Sequence, residues 1–280
     1  MKYNVAILAL CLASTAAFSQ EKAEIEVSYS FEYPNFKTTA RESLNQFILL
    51  SNNTHSKFYS PKTEFVDSIN STPEGKAKLN EISQNAFLSN KMDKIPRADG
   101  SYYVVKSLSG NKLDYFEVVG MDRLRTEEEI PQIEWDIQDS TKNVLGYECT
   151  LATGDLYGRR WNVWFTPDIP IQNGPWKLSG LPGLILEAET TDGLYLFTAT
   201  GLEQSSKTIG KIYLADEYEK VNRKDLLKAK RKFFDNPLGK INAQLGIKVT
   251  KVQDENGVSL KNNKKIFASR EEVDFIETDY

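Results

Sequence analysis

A segment near the start of the chain alternates strictly between apolar and polar side chains. In residues 25–33 every odd position is Ile, Val, Tyr or Phe, and every even position is Glu or Ser. A period of two is typical of a β-strand that buries one face and exposes the other. The folded part of the chain is therefore predicted to begin with a half-buried strand.

Further β-rich runs recur along the chain, separated by turn residues. They cover residues 47–50, 56–60, 102–108, 114–120, 133–138, 144–153 and 157–165. Residues 184–190 and 194–200 flank Asp192-Gly193, which is a strong hairpin signal. This density of strands predicts a mainly β or α+β fold built on an antiparallel sheet.

Two segments carry helix signals instead. Thr72 is predicted to cap a helix that begins at Pro73, and Asn222 to cap a second helix with Asp225 at its third position. Apolar residues then follow at helical spacing, namely Leu79, Ile82, Ala86 and Phe87 in the first and Leu226, Leu227, Ala229, Phe233 and Phe234 in the second. About two helices are thus expected to pack on the sheet. Residues 20–280 are predicted to form a single domain, with a core motif at 141–200 and a helical and irregular part at 215–280.

The N-terminus has the layout of a secretory signal peptide. Lys2 precedes an apolar stretch over residues 5–17, and small residues stand at Ala17 and Ser19. Residues 1–19 are therefore predicted to be removed on export, which places the protein in the periplasm or at the cell surface. A lipid anchor at Cys11 is disfavoured because the bulky Leu10 precedes it.

Charge and cysteine content exclude several functions. The net charge of −4, from 35 basic and 39 acidic residues, argues against general nucleic-acid binding. No later stretch is long and apolar enough to predict a transmembrane span. Outside the leader Cys149 has no partner for an intramolecular disulfide, and a single histidine gives no zinc-ligand spacing. No metal and no cofactor are expected.

No catalytic residue is assigned. His55 lies in a polar turn, and no Gly-x-Ser-x-Gly motif supplies a nucleophile. Cys149 alternates with Tyr147 and Leu151 on one strand face, so its thiol is expected to be buried and inert. The acidic pair Glu187 and Glu189 alternates with apolar residues, as a solvated strand face does.

Tryptophans give a better indication of a binding site. Trp161 and Trp164 project to opposite faces of one predicted strand, and Trp176 follows within a few residues. If one face is core, the tryptophan on the other needs cover. That cover is either a helix or a concave groove for an apolar ligand or peptide, with Asp168 beside it.

The predicted C-terminal helix is rich in cations. They are Lys220, Arg223, Lys224, Lys228, Lys230, Arg231 and Lys232. A basic amphipathic helix over 220–232 is able to lie on an anionic membrane surface or meet an acidic partner. An ordinary solvated helix face is the favoured interpretation.

Residues 169–187 combine turn residues with a bare apolar run. Asn173-Gly174-Pro175 and Pro182-Gly183 each have turn chemistry, and the strand-like run that follows excludes a phosphate-binding loop before a helix. The motif residues are Gly174, Pro175, Gly180, Leu181, Pro182, Gly183, Leu184 and Ile185.

The letters at 180–185 read GLPGLI, and the chain resembles the GLPGLI family of exported Bacteroidetes proteins over about residues 141–190, most visibly in residues 141–153, 161–171 and 173–187. The resemblance implies an antiparallel β protein whose sheet curves like a half-barrel around its helices. It implies no activity and no catalytic residues.

The expected function is that of a non-enzymatic envelope protein. Its groove at Trp161, Trp164, Asp168 and Trp176 is predicted to take an apolar ligand, a peptide or a membrane-protein partner. Two alternatives remain: a hydrolase that uses carboxylates such as Asp168 or Glu187, and a purely structural surface protein.

Overall fold

The structure is a computed structural model. It describes residues 21–34, 41–89, 91, 94–96, 98–210, 212–236 and 275–279. The predicted signal peptide lies outside these residues, and so does most of the irregular part predicted after the C-terminal helix.

The described part contains twelve strands and three α-helices. The strands are β1 (Ile25–Pro34), β2 (Arg41–Ser51), β3 (His55–Tyr59), β4 (Tyr102–Ser107), β5 (Lys112–Val119), β6 (Asp122–Glu129), β7 (Asp136–Val144), β8 (Tyr147–Leu156), β9 (Arg159–Thr166), β10 (Leu184–Thr190), β11 (Leu196–Gln204) and β12 (Glu219–Lys220). The helices are α1 (Pro61–Asn70), α2 (Pro73–Leu88) and α3 (Arg223–Asp235).

All twelve described strands join in one open, curved sheet, in the order β12-β6-β5-β4-β3-β2-β1-β11-β10-β9-β8-β7. This confirms the predicted fold class. One detail differs, because the short edge strand β12 pairs in parallel with β6, whereas the other neighbouring strands are antiparallel.

The alternating segment forms β1 in the middle of the sheet, between β2 and β11. The hairpin at Asp192-Gly193 is also confirmed, since β10 and β11 pair antiparallel through Ala188 and Phe197. Phe31 of β1 stacks on Phe197 with ring centroids 4.3 Å apart. Contacts of this kind bury apolar area and fix the register of neighbouring strands.

Both faces of the sheet carry buried side chains. One face holds the larger cluster, which includes Tyr29, Phe58 and Tyr115. The opposite face holds a smaller cluster around Tyr103 and Phe116. Because adjacent residues of a strand point to opposite faces, neighbours such as Tyr115 and Phe116 serve different clusters.

The two predicted helix starts are confirmed at their caps. Thr72 Oγ1 accepts a hydrogen bond from Gly75 N at 3.1 Å, and Asn222 Oδ1 accepts one from Asp225 N at 2.9 Å. Both satisfy backbone donors that a helix start leaves free. Leu226 and Leu227 bury the apolar side of α3.

The helix α1 was not predicted, so three described helices replace the expected two. It is held to the sheet largely by polar contacts: Tyr103 Oη donates to Asp67 Oδ2 at 2.7 Å, and Arg123 Nη2 lies 3.3 Å from Asp67 Oδ1. Its large apolar residue Phe65 is 57% exposed. A helix attached in this way has no apolar stripe for the sequence pattern to reveal.

Candidate binding site

Residues 167–183 connect β9 to β10 and cover the sheet face that carries Tyr29. Most apolar side chains of this connection are buried in the larger cluster: Ile169, Ile171, Trp176, Leu178 and Leu181. Tyr29 Oη donates to Ile185 O at 2.6 Å, and an isolated bridge joins Asn173 to Ser179. We refer to residues 167–183 as the motif loop.

Trp176 lies at the tip of a turn in the motif loop. Its backbone has φ +51°, in the left-handed region, and its side chain is 1% exposed. For a residue other than glycine this conformation costs about 1–2 kcal/mol. Packing against Trp161 and Tyr157, with ring centroids 5.9 Å and 6.0 Å away, holds the indole in place. Strained residues of this kind concentrate at binding sites.

Lys106 of β4 fixes the motif loop from below. Its side chain is 1% exposed, and Nζ donates to Asn173 Oδ1 at 2.9 Å and to Leu178 O at 2.8 Å. Gly174 O lies 3.5 Å from the same nitrogen. None of these acceptors is a carboxylate, and burial lowers the pKa of Lys106 to about 7.

This environment predicts a pH-dependent contribution to stability. Because the pKa of Lys106 is lower in the folded chain than its ordinary value of 10.5, folding releases a proton between about pH 7 and 10.5. As the pH increases over this range, the free energy of unfolding of the wild type should therefore increase relative to that of the Lys106→Met variant, by at most about 1.4 kcal/mol per pH unit. Urea titrations of both proteins at pH 7, 8 and 9 measure the difference, and a constant difference contradicts the assignment.

A cavity of about 340 Å³ opens beside Trp176. Its walls are mostly aromatic side chains from the sheet and α3: Phe31, Tyr33, Tyr102, Tyr115, Trp176, Tyr195, Phe233, Phe234 and Phe275. Val118, Val119, Gly120 and Ile276 complete the apolar part of the lining. Such a volume accommodates a small apolar molecule or one or two peptide side chains.

Two polar features interrupt this aromatic wall. The Tyr102 hydroxyl is buried and has no hydrogen-bond partner within the described residues. Burial raises the pKa of that hydroxyl well above its ordinary value, so it remains a proton donor. Glu117 and Lys230, 2.9 Å apart, form a half-buried ion pair at the wall. An unpaired buried donor costs about 1–3 kcal/mol, which a ligand acceptor would recover.

A buried cation stands behind Trp176. Lys177 Nζ lies 2.9 Å from Glu277 Oε1 and 3.3 Å from Glu128 Oε1, and its side chain is 1% exposed. The same nitrogen lies 4.5 Å from the ring centroid of Tyr115 and 4.8 Å from that of Tyr157.

Glu277 is shared with a second cation, since Arg223 Nε lies 2.6 Å from its Oε2. Burial alone would raise the pKa of the Glu277 carboxyl, but Lys177 and Arg223 outweigh that effect and hold the pKa below its ordinary value. The carboxylate is therefore charged at neutral pH, and the group forms a balanced, buried ion cluster.

Comparison with known proteins gives the family. A family model described as "N-glycanase peptide, N-terminal domain" matches residues 39–230, which is more than half of the chain. The chain belongs to this family. No curated protein matches the sequence.

Two solved structures of a protein called PNGF-II are similar to this chain. The structure in space group P21 has a TM-score of 0.51 at 16% identity and covers 76% of this chain and 34% of that one. The structure in space group C2 has a TM-score of 0.48 at 16% identity and covers 74% and 32%. The chain thus spans about a third of the PNGF-II chains. At this identity the first likeness supports the fold alone.

Of the four residues predicted to line a groove, Trp176 alone lines the aromatic cavity. Trp161 and Trp164 do lie on opposite faces, but Trp161 is fully buried, and Trp164 is covered by Lys142, whose Nζ is 4.5 Å from the ring centroid. Within the described ranges, the Lys142 side chain thus supplies part of that cover. Asp168 is exposed in the turn after β9.

The carboxylates and nucleophiles weighed from the sequence do not converge. Glu187 pairs with Lys142 at 2.6 Å, and the half-buried His55 has its Nδ1 3.1 Å from Thr54 Oγ1. Cys149 is buried, and burial raises the pKa of its thiol to about 11, which leaves it unreactive at neutral pH.

The residues of the sequence motif at 174–185 form the turn and the start of the strand after it. Leu184 and Ile185 are buried at the start of β10, whereas Gly180 and Pro182 are exposed. Gly180 has φ +93°, a conformation that favours glycine. The resemblance to the GLPGLI family stays a prediction.

Three of the six basic residues of α3 form ion pairs with described residues of the chain. Arg223 pairs with Glu277, Lys230 with Glu117 and Lys228 with Asp225. Membrane contact by this helix stays a prediction. Among the described residues, no helix is long and apolar enough to span a membrane, and no group of three His, Cys, Asp or Glu side chains is placed to hold a metal.

The sequence interpretation missed Tyr102, Lys106, Lys177 and Glu277 as site residues. Lys106 lies in the β-rich run at 102–108, and Lys177 lies in the turn-rich segment at 169–187. A lysine within an apolar strand or turn is the one local signal that pointed to them, because buried lysines need partners.

Proposed function

We propose that this chain is a non-enzymatic binding module whose aromatic cavity takes an apolar ligand or the apolar side chains of a peptide. The observation that carries the proposal is the cavity of about 340 Å³, with its aromatic walls and the buried Tyr102 hydroxyl, which has no hydrogen-bond partner in the part of the chain that the structure describes. Aromatic rings supply contact area, and a few polar groups fix orientation.

The ligand chemistry follows from the wall. Phe31, Tyr115 and Phe233 favour a flat or branched apolar group, and the Tyr102 hydroxyl favours a hydrogen-bond acceptor at one end of it. The ion pair of Glu117 and Lys230 is internally neutral. The favoured ligand is therefore apolar with one acceptor atom, and the predicted signal peptide places the encounter in the cell envelope.

A glycan is the second candidate, because the family description names an N-glycanase. A separate cavity of about 450 Å³ is lined by the neutral side chains of Asn53, Asn111, Gln132 and Gln172 together with Ser179. Ser179 Oγ is buried and has no partner within the described residues. Amide and hydroxyl groups donate and accept hydrogen bonds, as sugar hydroxyls require.

Native mass spectrometry of the protein purified from its own envelope tests the first candidate. We expect a bound small apolar molecule or peptide, which is then titrated back into ligand-free protein. Tyr102→Phe should weaken that binding about tenfold, which corresponds to the loss of one buried hydrogen bond. Tyr147→Phe, outside the cavity lining, is the matched control.

Other results separate the alternatives. A copurified or titrated glycopeptide that binds independently of Tyr102 favours the glycan candidate. Turnover of a ligand that is lost in Asp168→Asn or Glu187→Gln favours the hydrolase. Self-association with no ligand in either cavity contradicts the binding module and favours a structural role.

A further inference from the structure

The aromatic cavity is closed on one side by residues from the C-terminal end of the chain. Phe275 and Ile276 belong to its lining, and Phe275 packs against Phe234 with ring centroids 5.1 Å apart. Arg231 lies over the Phe275 ring, 4.4 Å from the centroid. We refer to residues 275–279 as the C-terminal segment.

The segment is recognised by cations. Arg159 Nη2 donates to Phe275 O at 2.6 Å, and Lys177 and Arg223 bind the Glu277 carboxylate. Arg223 Nη1 also donates to Asp279 Oδ2 at 3.2 Å. Phe275 and Glu277 are 6% and 4% exposed. An aromatic ring and a carboxylate two positions later are therefore both bound in buried positions.

The residues that contact the segment belong to other elements of the fold. Arg159 belongs to β9, Lys177 to the motif loop and Arg223 to α3. Among the described residues, one backbone–backbone hydrogen bond, from Thr278 N to Tyr157 O at 2.9 Å, joins the segment to the rest of the chain. Side-chain chemistry rather than a sheet ladder therefore holds it, as in a peptide bound on a preformed site.

Charge determines what is able to replace the segment. Lys177 also pairs with Glu128 at 3.3 Å, whereas both carboxylates that pair with Arg223, those of Glu277 and Asp279, belong to the segment. Partly buried cations without counterions are costly, so a replacement has to bring a carboxylate. The vacated place of Phe275 next to the cavity requires an aromatic or large apolar group.

We infer that the C-terminal segment occupies a peptide-binding site in cis, and that in trans this site takes a peptide with an aromatic residue two positions before an acidic one. The inference rests on the proposed function and deepens it, because Phe275 and Ile276 line the same cavity. The chain's own segment then competes with the partner peptide at an effective concentration on the order of millimolar.

Fluorescence anisotropy with a labelled synthetic peptide of residues 273–280 tests the inference. In the full chain, the double variant Phe275→Ala with Glu277→Gln should weaken the docking of the C-terminal segment, and we call it the opened variant. It should bind the peptide at least about tenfold more tightly than the wild type does, since competition is relieved. Thr278→Pro removes the backbone donor to Tyr157 O and should weaken the docking of the segment to a smaller extent. This variant should therefore also bind the peptide more tightly than the wild type does.

Two controls give the test its specificity. A peptide with Glu277→Gln should bind the opened variant about tenfold more weakly, and Arg223→Ala in the opened variant should abolish binding. Thermal melts followed by circular dichroism verify that the variants fold. Failure of the peptide to bind a folded opened variant, or equal binding of the Gln peptide, overturns the inference. Ligand binding that still depends on Tyr102 would leave the proposed function standing in that case.

Discussion

Lys177→Met is expected to lower the free energy of unfolding by about 3–5 kcal/mol, the usual cost of removing one partner from a buried ion pair. Lys177 is 1% exposed and lies within 3.3 Å of Glu128 and 2.9 Å of Glu277. Methionine fills a similar volume but leaves two carboxylates with less compensating charge. Urea unfolding followed by tryptophan fluorescence measures the loss.

Lys224→Met is the matched control. Lys224 is an exposed lysine of α3, and its replacement should change stability by no more than about 0.5 kcal/mol. Adding Glu277→Gln to Lys177→Met should restore part of the loss, because it removes one of the two carboxylates that lose Lys177 as a partner. A Lys177→Met protein as stable as the Lys224→Met protein would show that the buried cluster contributes nothing.

The buried ion cluster around Lys177 is a feature that local sequence patterns do not predict. Glu127-Glu128-Glu129 is a run of acids that a single sequence presents as uniform. Strand β6 directs Glu127 to Lys220 and Arg125, while Glu128 points to the other face and meets Lys177. Lys177 and Glu277 are 100 positions apart, and nothing local in either segment records their contact.

Local signals, in contrast, carried most of the fold. Strict alternation located β1, a two-residue turn signal located the β10–β11 hairpin, and side-chain caps at Thr72 and Asn222 located two helix starts. Each of these features is decided by atoms within a few residues. The helix α1 was not predicted because polar contacts with Tyr103 and Arg123, which are distant in the sequence, attach it to the sheet.

The binding site lay between these extremes. The turn chemistry of the motif loop and the alternation of Trp161 and Trp164 were both readable from the sequence. However, the depth of a cavity depends on which element covers which face. The Lys142 side chain lies over Trp164, and the C-terminal segment lines the cavity beside Trp176. Of the residues predicted to form the groove, Trp176 is therefore the one that lines the cavity.

Gly183→Ala is expected to destabilise the chain by about 3 kcal/mol, at the upper end of typical overpacking costs. A Cβ at this position would lie 2.1 Å from Thr166 O and 2.7 Å from Thr166 C. Both are backbone atoms of β9, whose Thr166 pairs with Leu184 of β10. Relief therefore requires the two strands to separate where the motif loop joins the sheet.

Two other glycines separate this clash from ordinary glycine effects. Gly180 has φ +93° and its nearest neighbour is Trp135 Nε1 at 3.7 Å, so Gly180→Ala should cost only the conformational penalty of about 1–2 kcal/mol. Gly201 lies in β11 with Ser28 Cβ at 3.9 Å, and Gly201→Ala should be neutral or slightly stabilising. Urea titrations should thus rank the losses as Gly183, Gly180 and Gly201. If Gly183→Ala lowers the free energy of unfolding no more than Gly201→Ala does, the close approach of Thr166 to Gly183 is contradicted. The steric reason for a glycine at position 183 would then be lost as well.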